Sequence, residues 1–144
     1  MALLTVDKAL RSLLMADATV ADLVSGRIYP GRAPKGAAFP LVVYEEVAGT
    51  GHANLSGAAT LEERAVQLAI YATDHNARVA VSKAAKDRLH GYKGAVAIGS
   101  DSVTFDGIFY EDGKDAHLEV ANANGSSQPL YCREDVYRVF TYTE

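Results

Sequence analysis

The sequence predicts an α+β fold, a mostly antiparallel sheet with an Ala-rich helix packed on one face and an N-terminal helical hairpin. Three observations predict it. Apolar residues recur at three- and four-residue steps near the N-terminus and again from Ala77. Segments between and after these alternate in polarity or are rich in β-branched and aromatic residues, and clusters of Gly, Pro, Asn and Ser separate them. The order is α-α, arm, β-β, α, β-β-β with no internal repeat, so residues 1–144 read as a single domain with long loops at 49–60 and 111–129.

From Leu3 to Met15, the residues Leu3, Val6, Leu10, Leu13 and Leu14 form one stripe, while Asp7, Lys8, Arg11 and Ser12 occupy the other side, as in an amphipathic helix. The same stretch lacks a basic leader before its apolar residues, so it reads as a helix of the mature protein and not as a signal peptide. Thr19-Val20-Ala21-Asp22 resembles a capping box, and Gly26 after Leu23 and Val24 is a left-handed stop, which together predict a second, short helix. Ile28 and Tyr29 lead into Pro30-Gly31, and Pro34, Gly36 and Pro40 leave an extended arm.

Leu41 to Ala48 and Leu61 to Ala72 predict two strands. The segment between them offers little to bury and is either a flexible hairpin tip or a loop ordered by a partner. Asp74 caps a helix whose apolar face is Ala77, Ala80, Val81, Ala84, Ala85 and Leu89, ending at Gly91. Arg78, Lys83, Lys86 and Arg88 fall on the side expected to be exposed. Strands return at Ala95–Ile98, Val103–Tyr110, with a bulge or turn at Asp106-Gly107, and Leu130–Tyr142. The last is apolar on both faces, as suits a central strand or one covered by a neighbouring subunit. Residues 111–129 are polar and small, a functional loop or a disordered one.

Apolar residues make up 49% and charged residues 22%, and no stretch approaches the roughly 20 apolar residues that cross a bilayer, so no membrane contact is expected. The net charge of −4 argues against a nucleic-acid reader held by phosphate contacts. That charge is lopsided: residues 1–100 carry 11 basic and 9 acidic side chains, whereas residues 101–144 carry 3 and 9. Opposite signs can therefore face different neighbours.

Catalytic patterns are missing. The acid pairs Glu45-Glu46, Glu62-Glu63 and Glu134-Asp135 lie on predicted strands, where adjacent side chains point to opposite faces, so each pair reads as a solvated edge or strand end. His52, His75, His90 and His117 have no metal-ligand spacing, and Cys132 sits inside an alternating strand and not at a helix N-terminus. Gly49-Thr50-Gly51 lacks the following helix and the lysine of a phosphate loop. No catalytic, cofactor-binding or metal-binding residue is assigned, and no cofactor is expected.

Several segments in order carry a family resemblance. An N-terminal LxxLL-like helix is followed by Val24-x-Gly26-Arg27-Ile28-Tyr29-Pro30-Gly31, then Ala33-Pro34 and the strand Phe39-Pro40-Leu41-Val42-Val43-Tyr44. Next come a strand ending Ile70-Tyr71-Ala72, an Ala-rich charged helix, Leu89-His90-Gly91, the segment Val103 to Asp112 with Tyr110-Glu111-Asp112, and Tyr137-Arg138-Val139 in the last strand. Across nearly the whole chain this resembles the small phage tail-completion or tail-terminator proteins, which join tail to head. The resemblance implies a virion protein without enzymatic activity. It would form a ring, typically a hexamer, at the head-proximal end of the tail tube after assembly in the host cytoplasm. The implied partners are further copies of itself, the tail tube protein and a neck or head connector protein, with DNA passing through the bore without specific binding. A connector adaptor, a tube protein or a non-virion tail-assembly chaperone are the alternatives.

Ring subunits meet head to tail through unlike surfaces. The charge split suggests the basic helix face, Arg78, Lys83, Lys86 and Arg88, against the acidic residues Glu111, Asp112, Asp115 and Glu119. Arg27, Arg32, Lys35, His52, Asn54 and Leu55 are candidates for contact with the tube or neck.

Overall fold

The computed structural model describes residues 2–53, 60–121 and 125–143. Helix α1, Ala2–Ala16, runs to Asp17, and α2, Ala18–Val24, begins directly after it. The sequence placed the α2 cap at Thr19. It is Asp17 instead, whose carboxylate accepts from the Val20 amide at 3.1 Å while Thr19 stays exposed. Ser25 at φ 49° and Gly26 at φ 76° terminate α2 in the left-handed region.

Six strands follow the helices into one mixed sheet. They are β1 (Ile28–Pro30), β2 (Leu41–Ala53), β3 (Thr60–Ala72), β4 (Gly94–Ile98), β5 (Asp101–Ala121) and β6 (Ser127–Thr143), with α3 (His75–Leu89) between β3 and β4. The spatial order is β1-β2-β3-β6-β5-β4. β1 pairs parallel with β2, and every other pair is antiparallel. The arm reading did not anticipate β1. Three residues ending in proline give almost no periodic signal, yet Ile28 is buried and the backbone pairs with Val42–Tyr44.

Two expected loops are largely strand. Residues 49–53 pair with 60–64, so only 54–59 lie beyond the β2–β3 ladder and outside the described residues. Residues 111–121 belong to β5 and pair with 127–136 of β6. Residues 111–119 are mostly exposed on an outer strand, where composition resembles that of a loop. The bulge expected at Asp106-Gly107 is present as a register shift between Phe105 and Gly107, and a second lies between Tyr110 and Asp112.

Helices α1 and α3 cover one face of the sheet, and α2 packs against both of them. Val6, Leu10, Leu13 and Leu14 of α1 and Val81, Ala85 and Leu89 of α3 pack with Val66, Leu68, Ile70, Phe105, Ile108, Tyr137 and Val139 from alternate strand positions. Under α1, the largely buried Arg64 bridges Glu46 and Glu62. Burial, with Glu46 adding to it and Arg64 opposing, raises the nearby Asp7 carboxyl above its ordinary value. A carboxyl raised in the folded state contributes most below its unfolded pKa, and that contribution is lost as pH rises through the raised value. Asp7→Asn is therefore expected to melt above the parent at pH 7 and at the same temperature near pH 3, as read by thermal scans.

Candidate assembly interface

Helix α3 does not present the free basic face that its polarity predicts. Arg78, Ser82, Ala85 and Leu89, at four- and three-residue steps, all turn towards the sheet and are buried. Arg78 is 2% exposed. It donates to the carbonyls of Cys132 at 3.2 Å and Ala116 at 3.4 Å, lies 2.8 Å from His75 Nδ1, and sits 3.8 Å from Asp115. Polarity alone put this arginine outside; the backbone carbonyls and carboxylate beneath α3 bring it in.

The other three cations of the face are also engaged. Arg88 donates to the Leu13 carbonyl at 2.8 Å, in the last turn of α1, where free carbonyls and the helix dipole favour a cation. Lys86 Nζ stands 4.0 Å from the Tyr110 ring centroid. Lys83, the most exposed, pairs with Asp87 one turn on at 2.9 Å.

The acidic candidates divide in the same way. Arg138, reaching across from β6, holds Glu111 with two bonds of 2.5 and 3.0 Å and also meets Glu63 of β3. The Arg138 hydrogen bond holds the Glu111 carboxyl below its usual range. Asp115 lies 3.0 Å from Arg133, and although burial works the other way, Arg133 and Arg78 lower its pKa. Asp112 accepts from the adjacent Gly113 amide at 2.8 Å, and Glu119 is exposed near the end of β5.

A buried polar centre escaped the sequence reading. The sequence alone suggests a solvated strand end for Asp135 with Glu134. The two do point to opposite faces, but Asp135 is 0% exposed under α3. It accepts from Ser82 Oγ at 2.6 Å and Arg133 Nε at 2.8 Å, and Arg133 also donates to Tyr110 Oη at 3.0 Å. Glu134, on the other face, pairs with Lys114 at 3.4 Å. The partners come from α3, β5 and β6, so no local motif announces them. Cys132 is buried and burial raises its thiol pKa, which disfavours the thiolate. Among the described residues, no group of three His, Cys, Asp or Glu side chains is placed to hold a metal ion.

The sheet face away from the helices is open over much of β5 and β6. Phe109 and Tyr142 are 46% and 44% exposed, and Phe109 meets Phe140 edge-on at 6.0 Å between ring centroids. At the β1 side, part of this face is covered by the arm, residues 31–40. Its Ala33, Ala37 and Phe39 pack with Tyr29 against Leu41, Val43 and Tyr71. The arm is fixed at its base by Arg27 Nε donating to the Pro40 carbonyl at 2.9 Å. A turn from Pro34 to Ala37 places Gly36 at φ 81°, a conformation that favours glycine. Between arm and sheet lies an open cavity of about 280 Å³ lined largely by apolar side chains, with Arg32 in its wall. Arg32 and Lys35 are exposed there. The side chain of His52 and residues Asn54 and Leu55 lie outside what the structure describes.

The chain matches the model of a family described as tail completion protein gp17 over residues 8–120. Its fold is similar to a chain in the solved structure of the virion of a native gene transfer agent (GTA) particle. The TM-score is 0.69 at 18% sequence identity, over 96% of this chain and 96% of that one. No curated protein matches it in sequence.

Proposed function

The chain belongs to the tail completion protein gp17 family, and from that premise we propose that it closes into a ring at the head-proximal end of a phage tail tube. There it ends tube growth and joins the tail to the head or neck. The family match over residues 8–120 carries this reading. As a phage tail structural protein it acts by assembly, with the tube protein on one side and a neck or head connector on the other.

Two features of the fold support a ring. Ring subunits need unlike surfaces on opposite sides, and the two sides of this sheet differ. On one, the short β1 covers only Val42–Tyr44 of β2 and the arm lies beside it. On the other, β4 pairs only with residues 101–105 of β5, and the Gly91 amide and His90 ring meet the β5 backbone at Ile108 and Tyr110. Beyond Tyr110 no described strand pairs with the outer edge of β5, and such an edge invites a partner. The exposed aromatic face is the second feature, since monomers seldom leave clustered aromatics in water. The acidic excess after residue 100 suits a bore that repels DNA phosphates while the genome passes.

Deletion of the gene tests the role. Tails should be overlong or uncapped and detached from filled heads by electron microscopy. Normal tails on normal particles would contradict the proposal, and loss of all tails would favour an assembly chaperone.

A further inference from the structure

The two margins of the sheet treat their outward main chain differently. On β1, the Arg27 carbonyl and the Gly31 amide bond to β2, so by alternation Ile28 and Pro30 turn their polar groups outward. All of these are answered inside the subunit. The Ile28 amide donates to the Gly26 carbonyl at 2.9 Å, and the Ile28 carbonyl accepts from Arg11 Nε at 3.2 Å. The Pro30 carbonyl accepts from the Arg32 amide at 2.8 Å, and proline has no N–H. Such a margin cannot add a strand.

The outer side of β5 is answered only as far as Gly113. There β4 pairs with residues 101–105, Gly91 and His90 meet the backbone of Ile108 and Tyr110, and the Gly113 amide donates to Asp112 Oδ1 at 2.8 Å. From Lys114 to Ala121 the inner side of β5 pairs with β6 without a register shift, while no described strand meets the outer side. This stretch contains no proline.

Its two faces carry different chemistry. Asp115 lies beside Arg133, and the His117 ring meets Tyr131, which Arg78 and His75 of α3 also contact, so this row is on the helix side. The exposed Glu119 is next in the row by alternation. Among the described residues it meets no cation of its own chain. Ala116 and Leu118 project to the opposite face, where Leu118 is 47% exposed. An acidic row and an apolar row thus flank one open main-chain edge.

We propose that residues 114–121 are a strand-addition site for an extended segment of another protein whose side chains alternate basic and apolar. The main chain of that segment bonds to the β5 edge, its basic side chains stand beside Glu119 and Asp115, and its apolar ones stand beside Ala116 and Leu118. A second copy does not fit, because β1 is closed and none of the described strands alternates basic with apolar residues. The site is complete in a single subunit and needs no ring.

A short peptide of alternating lysine and valine is the probe, read on the full chain by fluorescence anisotropy and amide hydrogen exchange. It should bind and slow exchange within residues 114–121, whereas a peptide of alternating glutamate and valine should not bind. Methylating the backbone nitrogens of every second peptide residue should abolish binding for one alternate set and spare it for the other, because only one set faces the edge. Glu119→Lys should weaken binding roughly fivefold while exchange in the rest of the sheet stays as in the parent. Equal effects of the two methylated sets, unchanged affinity in Glu119→Lys, or protection elsewhere on the chain would overturn the site. Protection of residues 114–121 by self-association of the wild-type chain without peptide would overturn the choice of another protein as occupant.

Discussion

Asp135→Ala is expected to destabilise the fold by roughly 3–5 kcal/mol, the usual cost of removing one partner of a buried ion pair. The carboxylate is fully buried and receives Ser82 of α3 and Arg133 of its own strand. Without it, Ser82 loses its acceptor in a site that water does not reach, and Arg133 keeps only Asp115 and Tyr110 near the surface. Gly113 shares the site: a Cβ there would overlap the Asp135 carboxylate, the Tyr110 hydroxyl and the Arg133 guanidinium. The glycine is therefore kept for close approach. Asp135→Asn preserves the shape but removes the charge opposite Arg133, and should cost less than the alanine variant. Chemical denaturation of the three proteins at pH 7 measures the series, and an alanine variant within 1 kcal/mol of the parent, by rough reckoning, would refute this account of the centre.

Phe105→Ala should cost a comparable amount, about 3–5 kcal/mol, by lost burial and the void left behind. Phe105 is 1% exposed and meets Tyr92 edge-on at 5.9 Å, joining β5 to the segment after α3. It also lies just before the bulge at Asp106, so its side chain fixes which residues of β5 face the helices from there on. A fall in melting temperature of about 10 °C or more is expected in a domain of this size. Phe105→Leu should recover much of it, since the volume is partly kept.

The sequence made the core elements legible because their signal is local. Val66, Leu68 and Ile70 alternate within one strand, and Leu10, Leu13 and Leu14 fall on one helical stripe; each pattern is complete within a few residues. The Asp106-Gly107 bulge was legible for the same reason. Arg78 was not, because its burial depends on carbonyls of Ala116 and Cys132 that lie 38 and 54 positions away. Residues 111–121 read as a loop because their charges are answered across the strands, Glu111 by Arg138, Lys114 by Glu134 and Asp115 by Arg133. The alternation of Asp112, Lys114 and Ala116 against Gly113, Asp115 and His117 carried no hydrophobic period, so only the pairing with β6 makes it a strand.

For the assembly surfaces the division is similar. Arg32 and Lys35 were visible as a basic pair in a breaker-rich arm, and the structure sets them beside an apolar cavity.

The most direct measurement of the central claim is the assembly state of the purified wild-type chain, by native mass spectrometry with electron microscopy of the same sample. The account predicts closed rings one subunit thick, of a single mass that is an integral multiple of the subunit. Open filaments or stacked tubes of unlimited length would contradict it.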